Sequence, residues 1–405
     1  MGQVKRLLDE AMERGFSLDM DIVVCPDCFE DDGLQEFIRN CGGKNPCTYC
    51  GRVGEGTCTL EELLDYAMSC IRMEWGHPED EGLPYETREG GWQGNVIDSW
   101  ELLETVGLYA LNHDLQEEID SALEDELWCE REPFLQRKDQ TLLSGWKAFT
   151  KFVMHEARYV FLNTTPKSYD ESQIDEMHPV EILDALSSMV EDIGLIETIP
   201  TTTRLYRVHI VDPKESLSTA KRLGAPPLDQ CKYPNRMSPA GISMFYGSFD
   251  LKTSVQETYD PSKESGKIAA YGEFFPIRPL RVLDLSKKLH VPSLFDSAKH
   301  NVRPLIRFLI DFLKDFSKHV QKDEYAHIEY VPTQIVTEYF RHMYRTANGE
   351  QLDGIIYPSS KKDARSAVVL FADNKACVEE CDVSNHDAVL VLKGSGTTDP
   401  ENPGL

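Results

Sequence analysis

Apolar residues recur at helical spacing through roughly the first 165 positions and at strand spacing from about residue 200 onward. TLEELLDYAMSCIRMEW, Thr59 to Trp75, presents one apolar face. Thr59 is placed as its N-cap and Glu62 stands three residues on, as in a capping box. VIDSWELLETVGLY and LLSGWKAFTKFVMHEARYVF predict two more amphipathic helices. The stretch from Asn163 to about Pro179 is polar, holds Pro166 and reads as linker. RLYRVHI, GISMFYGS, IAAYGEFFPI and RVLDLS then predict short strands mixed with helices. Arg303 to Val320 is a strong amphipathic helix, and Pro332-Thr333 starts another that runs to Tyr344. DGIIYPSS, Asp353 to Ser360, reads as a short buried strand stopped at Pro358. SAVVLF, Ser366 to Phe371, follows as its neighbour. The tail from Gly394 is rich in Gly, Thr and Pro and is expected to be disordered.

This pattern predicts an α+β chain in five parts: a cysteine-bearing element over 1–60, a helical domain over 61–165, a linker over 166–198, a mixed α+β domain over 199–385 and a tail over 386–405. At 405 residues there is length for two or three cores. No internal repeat is visible. No apolar run reaches membrane-spanning length and no basic-apolar leader is present, so a soluble, cytoplasmic protein is expected, without a membrane partner. The net charge of −27 is uneven: residues 1–150 hold 33 Asp/Glu against 12 Lys/Arg. Such acidity repels phosphate backbones and argues against nucleic acid as a partner.

Eleven cysteines without a secretion signal indicate thiols and metal rather than disulfides. Cys25-Pro-Asp-Cys28 and Cys47-Thr-Tyr-Cys50 are two knuckles 18 residues apart. Each turn can offer two thiolates, and two turns complete a closed tetrahedral shell, which suits structural Zn2+. Cys41 and Cys58 lie nearby outside any knuckle and read as ordinary thiols. No βαβ pattern of the thioredoxin kind surrounds the pairs, which disfavours redox catalysis.

Three residues of the mixed domain carry candidate chemistry. Arg207 sits inside an otherwise apolar strand and needs a partner there; a bidentate phosphate or a carboxylate would satisfy it. Glu257 lies on the helix-like DLKTSVQET, where a solvated face is the ordinary role. Ser359 follows Pro358 at a strand end, with Ser360 beside it, and reads as a turn serine or a hydrogen-bonding group. Tyr246 and Tyr357 are strand aromatics able to stack on a flat ring. Arg236, Lys361, Lys362 and Arg365 offer phosphate contacts or solvate their loops.

Arg207 in LYRVH, Glu257 after FYGS and Ser359 in YPS, in that order, resemble the RES domain, named for those three residue types. The likeness covers about residues 200–375. It implies an ADP-ribosyltransferase-like fold with NAD+ as substrate. In that role Arg207, Glu257 and Ser359 are catalytic, and Tyr246, Arg236 and Tyr357 bind substrate. Relatives carry a Gly-rich turn with Trp after the arginine, where this chain has Met237-Ser238-Pro239. The implied activity is degradation of NAD+ by a glycohydrolase or phosphorylase of toxin or defence type, cleaving the nicotinamide-ribose bond. Protein ADP-ribosyl transfer and a non-catalytic nucleotide-sensing module are alternatives. An antitoxin or regulatory protein is the implied partner.

The cysteine element and the helices after it, with WCEREPFL and GWKAFTKFVMHEARYVF, resemble the HEPN/RES N-terminal domain over roughly 15–165. Many HEPN domains are RNases with an Arg-x4–6-His motif, and Arg72 to His77 fits that spacing. Met73 and the surrounding acidity oppose it, and a helix end followed by a His-Pro turn is the preferred reading.

Overall fold

The computed structural model describes residues 14–18, 21–54, 56–88, 90–166, 177–318, 325–359, 361 and 365–403. Ser360 and Lys362, residues 167–176 of the expected linker and the first thirteen residues lie outside that set. The chain divides into two units. One comprises Met1–Arg137 with His290–Pro304, the other Lys138–Leu289 with Leu305–Leu405.

The first unit contains the helices α1 (Asp32–Cys41), α2 (Leu60–Glu74), α3 (Ser99–Val106) and α4 (His113–Ala122), with short strands in two pairs and one three-stranded sheet. The capping box of α2 is present: Thr59 Oγ1 accepts from the Glu62 amide at 3.1 Å and Glu62 Oε2 accepts from the Thr59 amide at 2.9 Å. Such a cap contributes about 1 kcal/mol. Leu60, Leu63, Leu64, Ala67 and Ile71 on its apolar face are fully buried. The segment 290–304 joins this unit, with Phe295 fully buried in its core. Tyr66 donates its hydroxyl to the Phe295 carbonyl at 2.6 Å. A Cβ on Gly33 would lie 2.6 Å from the Phe295 carbonyl carbon, so only glycine lets this segment pass.

The second unit is built on a mixed sheet. Its strands in chain order are β1 (Ile196–Ile199), β2 (Leu205–Val211), β3 (Phe245–Ser248), β4 (Ile268–Pro276), β5 (Leu280–Asp284), β6 (Gly354–Pro358), β7 (Ser366–Leu370), β8 (Cys377–Val378) and β9 (Leu390–Thr398). Across the sheet they run β8-β9-β4-β2-β3-β7-β6-β5-β1, antiparallel except for β5–β6 and β8–β9. The α-helices of this unit longer than four residues are α5 (Lys138–His155), α6 (Glu181–Asp192), α7 (Leu251–Thr258), α8 (Arg303–Phe316, in this unit from Leu305) and α9 (Val331–Glu338). Leu142, Trp146, Phe149 and Phe152 of α5 share one core with Leu309 and Phe312 of α8 and with Ile355 and Val369 of the sheet.

Two expectations are corrected. The expected linker 166–198 contains α6 and most of β1. Ile182, Leu183, Leu186, Met189 and Val190 recur at helical spacing in α6 and are buried, a pattern that the polar stretch before it had obscured. The expected tail contains β9, a nine-residue strand on β4. Its glycines are packing residues: Gly396 faces Tyr271, and a Cβ there would lie 2.6 Å from the Tyr271 hydroxyl. The compact units are divided differently from the expected helical domain 61–165: α5 belongs to the second unit. The expected strands RLYRVHI, IAAYGEFFPI and RVLDLS are present as β2, β4 and β5, and the helix from Arg303 ends at Phe316.

Candidate active site

Strands β2 and β3 pair at a single position, Tyr206 opposite Ser248. Beyond it β2 keeps only β4 as a partner and β3 only β7. A cleft of about 1500 Å³ opens there, bordered by Arg207, His209, Tyr246, Glu257 and Tyr357, with Arg236 and Lys361 also on its wall. Inside the second unit, the opening thus gathers the sequence-nominated arginine, glutamate and both tyrosines.

Arg207 projects where the ladder stops. Its Nη1 donates to the Tyr246 carbonyl at 2.8 Å, a group that a continuing strand pair would have used. The guanidinium carbon lies 5.6 Å from the centre of the Phe245 ring. Nε is buried without a hydrogen-bond partner. Among the described residues no carboxylate forms an ion pair with it. Burial lowers its pKa from the ordinary arginine value, but an arginine stays charged. A cation held this way has unspent hydrogen-bonding capacity facing the cleft.

Glu257 is delivered by α7, which is fastened at its first turn. Asp250 caps it, accepting from the Thr253 amide at 2.8 Å. Ser254 donates to the Tyr206 carbonyl of β2 at 2.6 Å and accepts from Ser248 of β3 at 2.9 Å. Thr253 Oγ1 accepts from the Arg365 amide at 3.0 Å, tying the helix to the turn after β6. On that turn Ser359 Oγ donates to Glu257 Oε1 and accepts from the Lys361 amide at 3.1 Å.

The aromatic wall is held by buried polar contacts. Tyr357 is buried and its hydroxyl is pushed well above the usual range, first by burial and then by the charge of Glu257. Burial likewise raises Tyr246, whose hydroxyl lies 2.8 Å from Ser238 Oγ. The Asn235–Ser238 loop is gripped by the polar face of α9. Thr333 donates to the Arg236 carbonyl at 2.6 Å, Gln334 to Asn235 at 2.8 Å, and Thr337 to the Met237 sulfur at 3.2 Å. The Arg236 guanidinium donates to the Phe316 carbonyl at 3.1 Å. These α9 residues, and His209 on β2, were not singled out in the sequence. His209 had a signal: it alternates with Arg207 in LYRVHI and so shares its face.

In the first unit the four knuckle sulfurs converge. Cys25 lies 3.7 Å from Cys28 and 3.5 Å from Cys50, and Cys28 lies 3.6 Å from Cys47, sulfur to sulfur. Four thiolates about 2.3 Å from one ion are about 3.8 Å apart in a tetrahedron. The donor set therefore fits a metal ion with little rearrangement. Each knuckle is a tight turn: the Cys28 amide donates to the Cys25 carbonyl at 3.1 Å and the Gly51 amide to Cys47 at 3.0 Å. Arg72 lies in the last turn of α2, and His77 sits after the helix with Nδ1 accepting from the Glu79 amide at 3.3 Å.

Two protein-family models match the chain. HEPN/RES N-terminal domain 1 covers residues 40–167 and the RES domain covers 204–392. The first match begins after the Cys25–Cys28 knuckle and ends beyond α5, so it crosses from one unit into the other. The second contains the whole cleft and the segment 290–304. No curated protein and no solved structure matches the chain.

Proposed function

We propose that this chain, a RES-domain protein with a HEPN/RES N-terminal domain, cleaves NAD+ at the bond between nicotinamide and ribose. The RES domain is consistent with an enzyme acting on NAD+. The observation that carries the finer reading is one cleft bordered by an arginine without a carboxylate partner and by a glutamate hydrogen-bonded to a serine.

In this reading Arg207 grips the diphosphate through the donors it does not spend on Tyr246. Tyr246 and Tyr357 wall the nicotinamide ring. Glu257 faces the ribose, with Ser359 fixing the carboxylate rotamer. As the C1′–N bond breaks, nicotinamide leaves neutral and its bonding electrons go with it. Positive charge grows on the ribose, and the Glu257 carboxylate opposes it. An oxygen of water or phosphate then bonds to C1′, and water as acceptor loses a proton to solvent. The products are nicotinamide and ADP-ribose or its 1″-phosphate. The reading includes no metal in this step.

The four-cysteine cluster would hold zinc as a closed structural shell, leaving no open position for a substrate. Its residues lie in the first unit and take no part in the cleavage.

The test is nicotinamide release from NAD+ by the full chain, with and without phosphate. Release that Glu257→Gln abolishes supports the reading. A full-length protein that binds ADP-ribose yet releases no nicotinamide under either condition defeats the enzyme and leaves nucleotide sensing.

A further inference from the structure

His209 borders the same cleft two residues beyond Arg207 on β2. Its Nε2 lies 3.2 Å from the Leu223 carbonyl. A carbonyl only accepts, so Nε2 carries the ring proton. Burial, then the charge of Arg207, and more weakly that of Arg222, push the imidazole down to about 4 against the pull of that carbonyl. At neutral pH Nδ1 is therefore a bare acceptor, and among the described residues no protein group donates to it. Such a nitrogen suits a hydroxyl and opposes a phosphate oxygen.

Glu215 borders the cleft on the same side. Its Oε1 accepts from Arg222 Nη2 at 2.5 Å, which leaves the second oxygen free of a protein donor among the described residues. Arg222, a cation beside His209, is thereby already paired. Lys221 is exposed, and a single hydrated ammonium lacks the bidentate grip of a guanidinium. Along β2, Tyr206 anchors the helix that carries Glu257 through its carbonyl, Arg207 follows it, and His209 lies two residues further on. The order is Glu257, then Arg207, then His209 with Glu215. A dinucleotide has the same order of cleaved ribose, diphosphate and second ribose.

We propose that His209 and Glu215 receive the hydroxyls of the adenosine ribose and make the cleft select the dinucleotide that lacks a 2′-phosphate. This rests on the NAD+ reading. A 2′-phosphate would bring nearly two negative charges against a carboxylate and a bare nitrogen.

The experiment compares initial rates with NAD+ and NADP+ for the full chain. Wild type is expected to favour NAD+ in kcat/KM by at least about tenfold, because the charge repulsion is only partly screened at the cleft mouth. Glu215→Gln frees Arg222 and removes the repulsion, so it narrows that ratio at least about fivefold by raising NADP+ use. His209→Phe raises KM for NAD+ about five- to tenfold with kcat within about twofold, the pattern of a lost ground-state hydrogen bond. Calorimetry with ADP-ribose and its 2′-phosphate reads the same selection without turnover. Preferential ADP-ribose binding without nicotinamide release sinks the NAD+ cleavage reading and supports the selection. Equal use, or equal binding, of both nucleotides overturns the selection while cleavage stands. An unchanged KM in a folded His209→Phe protein removes histidine from the role.

Discussion

Ser359 donates its hydroxyl to the carboxylate of Glu257 across 102 residues of sequence. The serine closes the turn between β6 and β7, and the glutamate ends a helix pinned to β2 and β3. The bond therefore joins two sides of the cleft. It uses one lone pair of one carboxylate oxygen, while Lys361 donates to the serine through its amide. The bond gives the carboxylate a fixed direction.

That arrangement separates the roles of three side chains. On the proposed reading, Arg207→Ala removes a diphosphate contact present before and during cleavage, so KM for NAD+ is expected to rise about tenfold or more with a smaller change in kcat. On the same reading, Glu257→Gln preserves shape and binding but removes the charge proposed to oppose the cationic ribose. Its kcat is expected to fall about 10²–10³-fold, as for other electrostatic stabilisers. Ser359→Ala frees the carboxylate rotamer and costs about tenfold. Steady-state kinetics with calorimetric ADP-ribose binding checks all three. Full turnover in Glu257→Gln removes the carboxylate from the mechanism.

What the sequence disclosed follows from where the determinants are local. The Thr59–Glu62 capping box, the knuckles and the alternation of LYRVHI are each written within a few residues, and each is found in the fold. Long-range packing was hidden. Nothing in SLFDSAKHN says that Phe295 fills the core of the first unit, because that depends on Gly33, some 260 residues earlier. The glycines of β9 looked like disorder because Tyr271 and Glu273, which they face, lie on another strand. Arg207, Glu257 and Tyr357 were grouped in one site by the RES resemblance, not by any spacing between them. The cleft joining them comes from the missing ladder between β2 and β3, which no periodicity encodes.

The cysteine cluster predicts about one zinc per chain. Cys28→Ser is expected to lower metal content to well under half an equivalent and to loosen the first unit. Its buried sulfur sits between Cys25 and Cys47. Atomic absorption on unchelated protein gives the stoichiometry. A wild-type preparation without metal, folded and cooperative in its melt, would falsify the assignment.

His209 predicts a pH dependence of stability. Its ordinary value of 6.5 falls to about 4 in the folded chain. Above pH 6.5 neither folded nor unfolded chain carries the proton, and the fold has its full stability. As pH falls below 6.5 the unfolded chain takes a proton that the folded chain refuses, so stability is lost until about pH 4. Between pH 7.5 and 5 this amounts to about 2 kcal/mol. Denaturant melts of wild type and His209→Phe should therefore diverge in pH slope by that amount. The groups acting on the ring are Arg207 and Arg222 and, by hydrogen bond, the Leu223 carbonyl. Parallel slopes would mean that the imidazole titrates normally in the fold.

Helix α5 lies inside the N-terminal family match yet supports the cleft. Trp146 is 2% exposed, sits 4.8 Å from Phe312 edge to face, and donates Nε1 to Asp315 at 2.7 Å. Both partners belong to α8, whose Phe316 carbonyl receives the Arg236 guanidinium. Trp146→Ala should cost the second unit about 3–5 kcal/mol, since it opens a large cavity and leaves Asp315 without that donor. Phe134→Ala, at a side chain 64% exposed in the first unit, should cost less than about 0.5 kcal/mol. Urea melts followed by turnover give both values. By the same packing, a fragment of residues 195–390 lacks α5, α6 and most of β9, and it should fail to fold. A soluble, active 195–390 fragment would show that the cleft needs none of these three elements, and would return α5 to the N-terminal domain.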